Sequence, residues 1–374
     1  MNTKTATPPR ARVAPVHIPH GSCLVGCPFC PPCRDEPSQQ TRAAGQTPGP
    51  DDVEAAVDRL LRRVSQDSDD RPIEVGFFGG DLWQLERGPR TALLDAAERE
   101  CRRGRATGIR LTLAPPSVLR APLSEFRTRG VTTIEVALHT TNRGVLQRLG
   151  TRFHPRLGLE AIGRVHRTRM RSIAHVQPGL PGSSHRTTLQ AAEMLLRARP
   201  HGVRIHPALA LSGTLLGELY LQGHWEPMQL SEARATCKHL VRRFREAGTE
   251  VVRVGLQPKV DMPFSGDVLA GPNHPDLRLL VESELMREGA IRALTSRFSL
   301  GTRGFTFVVN PKDESYLRGF ESRTMRELKK QFRLERIRIL TTDEQPRGTL
   351  RAFPEIIGPD EVPPLRPRRA RRAS

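Results

Sequence analysis

Residues 73–81 read IEVGFFGGD, a short apolar strand pattern that runs into two glycines and a carboxylate. An amphipathic helix pattern follows over residues 88–104, and the next apolar strand pattern lies at 109–114. A strand, a crossover helix and a second strand form a β–α–β unit, in which the two strands lie parallel. This stretch therefore predicts an α/β fold built on a parallel sheet.

The same alternation extends along most of the chain. Strand patterns lie at residues 13–18, 73–78, 109–114, 133–138, 172–177, 203–208 and 251–256, and helix patterns at 50–64, 88–104, 154–168, 187–199 and 230–248. Six or seven consecutive units with right-handed crossovers favour a partial (β/α)6 barrel of the TIM type. A doubly wound open sheet is the alternative, and in both folds the active site is built from loops at the carboxyl ends of the strands.

Length and pattern changes predict the domain organisation. A chain of 374 residues fits one barrel-sized domain with an appendage. From about residue 260 the pattern changes to a Gly/Pro-rich loop, a long helix and two further strands. We predict a disordered N-terminal arm (1–14), a partial barrel (15–260), a small α/β domain (261–352) and a disordered basic tail (353–374).

Composition limits the classes of protein that fit. Hydrophobic residues make up 37% of the chain, and no apolar run approaches the length needed to cross a bilayer. The N-terminal residues lack the apolar segment of a secretory signal, so we expect a cytoplasmic protein with no membrane partner. The net charge of +19 indicates a polyanionic partner such as RNA, although an arginine-rich proteome would produce the same bias.

Four of the six cysteines lie within eleven residues, in the stretch GSCLVGCPFCPPC at 21–33. Cys23, Cys27 and Cys30 have C-x3-C-x2-C spacing, which allows three thiolates to ligate three irons of a four-iron cluster and leaves the fourth iron open. The alternative is a structural zinc site that also uses Cys33, although four cysteines this crowded form a tetrahedron with difficulty. Cys101 and Cys237 fall within helix patterns and are predicted to be core residues.

The cysteine triplet and four later segments together resemble the radical S-adenosylmethionine (radical SAM) enzymes. The later segments are IEVGFFGGD, VALHTTNRGVLQRLGTRFH, HVQPGLPGSS and VRIHPALALSGTLLGELYLQGHWEPMQLSEA. They are most similar to the radical domain of the Elongator catalytic subunit and its bacterial relatives, over residues 15 to 260. A weaker resemblance to the C-terminal region of those bacterial relatives covers residues 266 to 350.

The resemblance implies two cofactors, a 4Fe-4S cluster and S-adenosylmethionine. In the family, one electron from the cluster cleaves the bound sulfonium, and the resulting 5′-deoxyadenosyl radical abstracts hydrogen from a substrate. Cys23, Cys27 and Cys30 would be the cluster ligands, with Cys33 as an extra thiol. The residues implied at the S-adenosylmethionine site are Gly79, Gly80, Asp81, His139, Thr140, Gln177, Arg204 and His206.

Several of these residues also have ordinary structural explanations. Gly79 and Gly80 would suit a tight turn, and Asp81 would suit a helix cap. For His139 and for the residues that end strands five and six, a structural role is at least as plausible from sequence alone.

The chain also departs from its relatives in ways that bear on the substrate. Ala114 stands where Elongator-type proteins have Arg, and Ser212 stands where many have Lys, so two anion contacts are lost. Residues after 260 show no Gly-rich pyrophosphate loop that opens a helix, so we expect no acetyltransferase module there, and acetyl-CoA-dependent modification of wobble uridine does not follow from the resemblance.

Three functions remain open at this point. The first is a radical SAM enzyme that acts on tRNA or another RNA, with flavodoxin or ferredoxin as electron donor. The second is the same chemistry on a small molecule, as in the oxygen-independent coproporphyrinogen oxidases. The third is a non-catalytic iron–sulfur protein that binds RNA. The segment around LRGFES has a faint likeness to a KH domain, but it lacks the second glycine of the GXXG loop.

Overall fold

The computed structural model describes residues 11–18, 47–65, 71–151, 153–256, 267–298 and 302–356. The chain divides into two compact units, Met1–Pro275 and Asp276–Ser374. The segment that carries Cys23, Cys27, Cys30 and Cys33 lies outside the described residues. Within the described part of the chain, no helix is long and apolar enough to cross a membrane.

Strands and helices alternate through the first unit. Its strands are β1 (Arg12–Ile18), β2 (Ile73–Gly79), β3 (Gly108–Leu113), β4 (Val131–His139), β5 (Arg171–Val176), β6 (Gly202–Ile205), β7 (Ala210–Leu211), β8 (Glu250–Val254) and β9 (Val268–Ala270). Its helices are α1 (Pro50–Val64), α2 (Arg87–Arg102), α3 (Pro115–Arg120), α4 (Leu123–Thr128), α5 (Arg143–Arg148), α6 (Pro155–Arg167), α7 (His185–Arg197), α8 (Leu215–Leu221) and α9 (Leu230–Glu246).

Local sequence signals account for the limits of these elements. Helix α6 has Pro155 at its first position, where the missing N–H costs nothing. The Ser184 hydroxyl accepts a hydrogen bond from the Thr187 amide at the start of α7. Strand β6 ends at Ile205, two residues before Pro207, which has no N–H to donate to a ladder.

Seven of the strands form one parallel sheet in the order β1-β2-β3-β4-β5-β6-β8. The order follows the chain without the reversal that defines a doubly wound sheet. The fold predicted from the sequence, a partial TIM-type barrel, is therefore confirmed. Strands β7 and β9 form a separate antiparallel pair outside this sheet.

The main sheet is curled, as a partial barrel requires. The Arg204 guanidinium of β6 lies 5.1 Å from the ring centroid of Phe78 in β2. Four strand spacings separate β2 from β6, which is about 19 Å on a flat sheet. Two side chains can meet over that separation only because the sheet is bent and both point to its concave face.

The convex face of the sheet is apolar and covered by helices. Leu138 of β4 is 1% exposed, and a Cβ at Gly158 in α6 would lie 2.1 Å from its side chain. The glycine therefore allows α6 to pack directly on β4. The concave face instead carries charged side chains, which is where the candidate site lies.

The second unit is a small α/β domain. Its elements are α10 (Leu277–Arg297), β10 (Thr302–Val309), α11 (Glu314–Arg318), α12 (Arg323–Phe332), β11 (Arg336–Thr341) and β12 (Leu350–Ile356). The sheet order is β11-β10-β12, with β11 parallel and β12 antiparallel to the central strand. Its core contains Phe305 and Phe307 of β10 with Leu294 of α10 and Leu328 of α12.

The observed limits differ a little from the predicted domain boundaries. Strand β1 begins at Arg12, inside the segment predicted to be a disordered arm (1–14), and β12 continues to Ile356, past the predicted end of the small domain at 352. The two units divide after Pro275, whereas the sequence pattern changes at about residue 260. The full organisation proposed from the sequence stays a prediction.

Candidate active site

All but one of the residues predicted to bind the cofactor lie at one edge of the main sheet, and Arg204 lies below this edge within β6. Gly79 ends β2 and His139 ends β4, while Gln177 and His206 each follow the last residue of a strand. Backbone hydrogen bonds join neighbouring loops at this edge: the Gln177 amide donates to the His139 carbonyl (2.8 Å), and the His206 amide donates to the Val176 carbonyl (2.9 Å). The carboxyl ends of the parallel strands thus bring these residues together.

The glycine turn after β2 is tied to the end of β1. Gly79 has φ of +91°, a conformation that L side chains rarely adopt. The Gly80 amide donates to the Ile18 carbonyl at 2.8 Å. Ile18 is the last residue of β1, and the cysteine segment follows it five residues later in the sequence. The turn therefore lies beside the point at which the chain leaves β1 toward Cys23.

Asp81 is buried and is bonded to protein groups. It is 4% exposed, and its two carboxylate oxygens accept hydrogen bonds from the amides of Trp83 (3.0 Å) and Ala114 (3.0 Å). Burial raises the pKa of this carboxyl, an effect that hydrogen bonds from Ser117, Ala114 and Trp83 oppose. Asp81 caps the short 3-10 helix Leu82–Gln84 and fixes the loops after β2 and β3 against each other.

His139 and Thr140 form the transition from β4 to α5. His139 has φ of +67°, and the register of β4 with β5 shifts just before it. The Thr140 hydroxyl accepts a hydrogen bond from the Asn142 amide at 3.2 Å, and Asn142 caps α5. His139, Thr140 and Gln177 line one side of a small crevice, whose other side comes from α7 and the loop before it.

Gln177 and His206 carry buried polar atoms that have no hydrogen-bond partner within the described part of the chain. These atoms are Oε1 of Gln177 and Nε2 of His206, and each side chain is 8% exposed. Burial, followed by the nearby charges of His175 and Arg204, holds the pKa of His206 well below its ordinary value of 6.5. The edge therefore presents a neutral imidazole and an amide oxygen that a polar ligand would satisfy.

A network of ionisable side chains lies on the concave face beneath this edge. The Glu135 carboxylate is fully buried and lies 2.9 Å from Arg110 Nη1, 2.8 Å from His175 Nε2 and 2.7 Å from Arg204 Nε. Arg110 also donates through Nε to Glu74 at 2.7 Å. Each consecutive strand from β2 to β6 contributes one member, so the network spans the barrel interior.

The network determines the ionisation of its members. The pKa of Glu135 lies well below its ordinary value, because Arg204, His175 and Arg110 together outweigh the cost of burying the carboxylate. Burial lowers the pKa of His175 despite the Glu135 carboxylate. Arg204, predicted to contact the cofactor, is held by Glu135 and by the Phe78 ring.

Four members of the network, Glu74, Arg110, Glu135 and His175, were not predicted as site residues. A signal was present in the sequence, because each of five successive apolar strands carries at least one charged or imidazole residue at an alternate position. Strands of a parallel sheet that is covered on both faces are apolar throughout. The regular polar position therefore indicates a wet or ligand-facing side.

Of the remaining two cysteines, both predicted to be core residues, Cys237 lies in the core and Cys101 is only half-buried. Cys237 is fully buried in α9, and burial raises the pKa of its thiol to about 12. Cys101 is half-buried at the end of α2, where burial and neighbouring carboxylates raise its pKa to about 11. The described residues contain no group of three or more His, Cys, Asp or Glu side chains arranged to hold a metal.

Comparison with known proteins finds matches of sequence and of structure. The family described as Radical_SAM C-terminal domain matches residues 200–287. Elongator complex protein 3 of Homo sapiens and of Bos taurus is 27% identical over 179 residues, which is 46% of this chain and 31% of theirs. The chain resembles the radical SAM proteins of the Elongator type. It spans about a third of the length of these curated relatives.

Comparison with solved structures finds one with a similar fold. Elp3 of the archaeon Methanocaldococcus infernus, with its N-terminus deleted, has a TM-score of 0.58 at 16% identity, covering 76% of this chain and 64% of that one. SuiB of Streptococcus suis, bound to S-adenosylmethionine, has a TM-score of 0.43 at 14% identity and covers 67% of this chain and 52% of that one. At that level of likeness the ligand of SuiB says nothing about this chain.

These comparisons confirm the resemblance that the sequence predicts. In its domain match and in its fold the chain is similar to radical SAM enzymes of the Elongator type. The comparisons leave its substrate open.

Proposed function

We propose that the chain is a radical SAM enzyme that holds a 4Fe-4S cluster on Cys23, Cys27 and Cys30, binds S-adenosylmethionine at the carboxyl edge of the sheet, and acts on RNA. The observation that carries the proposal is the hydrogen bond from the Gly80 amide to the Ile18 carbonyl. It joins the glycine turn to the end of β1, from which the chain runs to the cysteines. A cluster and a bound sulfonium must be neighbours for electron transfer, and Ile18 at the end of β1 lies beside the glycine turn and precedes Cys23 by five residues in the sequence.

The described residues fit S-adenosylmethionine as a ligand. The glycine turn would let the backbone approach the methionyl end closely, because Gly79 and Gly80 lack a side chain that would collide with it. His139 and Thr140 would lie on the ribose side. The unpartnered Oε1 of Gln177 and Nε2 of His206 would gain the hydrogen bonds that they lack within the described residues.

Asp81 and Arg204 would serve this site through their contacts with the protein. Both oxygens of Asp81 already accept backbone hydrogen bonds, so we propose that it holds the glycine turn in place and leaves the cofactor ammonium to other groups. Arg204 is fixed by Glu135, so its positive charge stays at the floor of the barrel. The network would give the cavity a rigid base.

When bound, the cluster and S-adenosylmethionine would supply one-electron cleavage of a carbon–sulfur bond for hydrogen abstraction. The protein would supply thiolate ligation, a fixed orientation and a cavity that excludes water. An electron donor such as flavodoxin or ferredoxin would reduce the cluster. A cytoplasmic location belongs to the same proposal.

The charge of the chain and its resemblance to Elongator-type proteins support RNA as the substrate. The chain carries 59 Lys and Arg against 40 Asp and Glu, and a polycation attracts nucleic acid. The resemblance implies tRNA in particular. Ala114 and Ser212, which replace the Arg and Lys of relatives, suggest a different modification on that RNA.

Anaerobic turnover tests the proposal. Reconstituted protein with dithionite and S-adenosylmethionine should form 5′-deoxyadenosine, measured by liquid chromatography, and bulk tRNA should raise the rate. A cluster-loaded protein that forms no 5′-deoxyadenosine, with or without tRNA, would support a non-catalytic iron–sulfur protein. Turnover that a small-molecule extract stimulates and tRNA does not would support the coproporphyrinogen oxidase-like alternative.

A further inference from the structure

The second unit exposes an aromatic pair where two helices end. Phe298 follows the last residue of α10 and is 46% exposed, and Phe332 is the last residue of α12. Their ring centroids lie 6.1 Å apart with an angle of 43° between the ring planes. Phe332 is partly buried and packs against the core of the unit, so it anchors one side of the pair. Phe298 leaves a large aromatic surface in solvent.

Positive charges surround the same end of α12. Lys329, Lys330 and Arg333 are all exposed. Lys329 lies three residues before Phe332, which places the two on neighbouring positions of the helix surface. Arg333 follows Phe332 directly and adopts a left-handed conformation with φ of 51°, at a helix end where glycine is the usual residue. We call Phe298, Phe332, Lys329, Lys330 and Arg333 the aromatic–basic platform.

These cations differ from several arginines of the first unit. In the first unit, Arg102, Arg105, Arg129 and Arg243 each contact a carboxylate. Among the described residues, no carboxylate forms a salt bridge with Lys329, Lys330 or Arg333, and the segment 323–341 holds seven basic residues against two acidic ones. The platform therefore carries positive charge that the described part of the chain does not neutralise.

Two simpler explanations account for part of this arrangement. Cations in the last turn of a helix interact favourably with its dipole, which would explain Lys329 and Lys330. An exposed aromatic ring alone would also suit a protein partner. Neither explains why unpaired cations and an exposed ring occur together. Single-stranded nucleic acid needs both, because its bases stack on aromatic rings while cations follow its phosphates.

We propose that the aromatic–basic platform binds unpaired nucleotides of the RNA substrate, with a base stacked on Phe298 and phosphates on Lys329, Lys330 and Arg333. This inference rests on the RNA substrate of the proposed function and is independent of the radical chemistry. It assigns the second unit the task of holding a single-stranded loop or end. A duplex would not fit, because its bases are already stacked on each other.

Binding of the full-length protein to a fluorescent 12-nucleotide single-stranded RNA, followed by anisotropy at several salt concentrations, tests the proposal. Phe298→Ala should weaken binding about tenfold, within the range measured for loss of one base–aromatic stack. The double variant K329Q/K330Q should lower the slope of log Kd against log salt by about 1.4, since each phosphate contact on a single strand contributes about 0.7. A duplex of equal length should bind more weakly and respond little to Phe298→Ala.

Two matched variants control for general effects. R62Q/R63Q removes two adjacent exposed cations from the last turn of α1, as K329Q/K330Q does in α12. Leu221→Ala removes an apolar side chain that is 71% exposed in the first unit. Both should leave RNA affinity within twofold of wild type, and circular dichroism should show that all variants are folded.

Several results would overturn the platform. If Phe298→Ala bound RNA with wild-type affinity, stacking of a base on Phe298 would be excluded. An equal loss of RNA affinity in R62Q/R63Q and K329Q/K330Q would show that the RNA is attracted only by the overall positive charge of the protein. Binding to anionic phosphatidylserine vesicles that depends on Phe298, without binding to RNA, would indicate a membrane surface instead. Because 5′-deoxyadenosine formation without RNA is measured separately, failure of the platform is distinguishable from failure of the radical SAM assignment.

Discussion

Cys27→Ala should yield a protein that retains little iron after anaerobic reconstitution and forms no detectable 5′-deoxyadenosine. Three thiolates are the minimum that hold a four-iron cluster while one iron stays open, so the loss of one leaves two irons without a protein ligand. Cys23→Ala and Cys30→Ala should behave in the same way. Iron and acid-labile sulfide per chain, with 5′-deoxyadenosine measured in parallel, provide the readout.

Two cysteine controls make this result specific. Cys33→Ala should keep both the cluster and turnover, because the proposed ligand set does not include it. Cys101→Ala removes a half-buried thiol in α2, far along the sequence from the cysteine segment, and should also retain iron. Equal dependence on all four clustered cysteines, together with one zinc per chain, would instead support the structural zinc site.

Glu135→Ala should destabilise the first unit by about 3–5 kcal/mol, the usual cost of removing one partner from a buried ion pair. The substitution would leave Arg110, His175 and Arg204 without their shared carboxylate in the interior of the barrel. Urea unfolding followed by tryptophan fluorescence measures this unit alone, because Trp83 and Trp225 both lie within it. Arg102→Ala, which breaks an exposed pair with Glu98, should cost about 0.5 kcal/mol or less.

The contribution of the Glu135 carboxylate to the free energy of unfolding should depend on pH. Its folded-state pKa lies well below the ordinary value of 4.5, so its ionised form stabilises the fold fully above pH 4.5 and this contribution is lost as pH falls through the folded-state value. Above about pH 7, where His175 is neutral in both the folded and the unfolded chain, the difference between wild type and Glu135→Ala should be constant, and it should decrease once pH falls through the folded-state pKa of Glu135. A difference that disappears between pH 7 and pH 5 would contradict the network.

Much of the fold could be predicted from the sequence because its signals are local. Runs such as IEVGFF and TIEVAL, separated by amphipathic helices, predict each strand of the main sheet to within two residues of its start. The β7–β9 pair was not predicted, since strands of two and three residues have no periodicity to detect. The domain boundary after Pro275 was also not predicted, because it depends on packing between distant segments.

The candidate site was predictable in outline but not in its contacts. The loops at the carboxyl ends of the strands follow from the topology, so Gly79, Gln177 and His206 could be placed at one edge. The hydrogen bond from the Ala114 amide to the Asp81 carboxylate joins residues 33 positions apart in the sequence, so no local pattern predicts it. In the same way, the three contacts of Glu135 come from three other strands.

The electron paramagnetic resonance spectrum of the reduced protein, recorded with and without S-adenosylmethionine, tests the open iron most directly. After anaerobic reconstitution to about four irons per chain, the number in one cubane cluster, the spectrum should show a reduced cluster whose signal changes when S-adenosylmethionine is added. The Cys33→Ala variant should show the same change. A signal that S-adenosylmethionine leaves unaltered, or a colourless protein that holds zinc, would contradict the account.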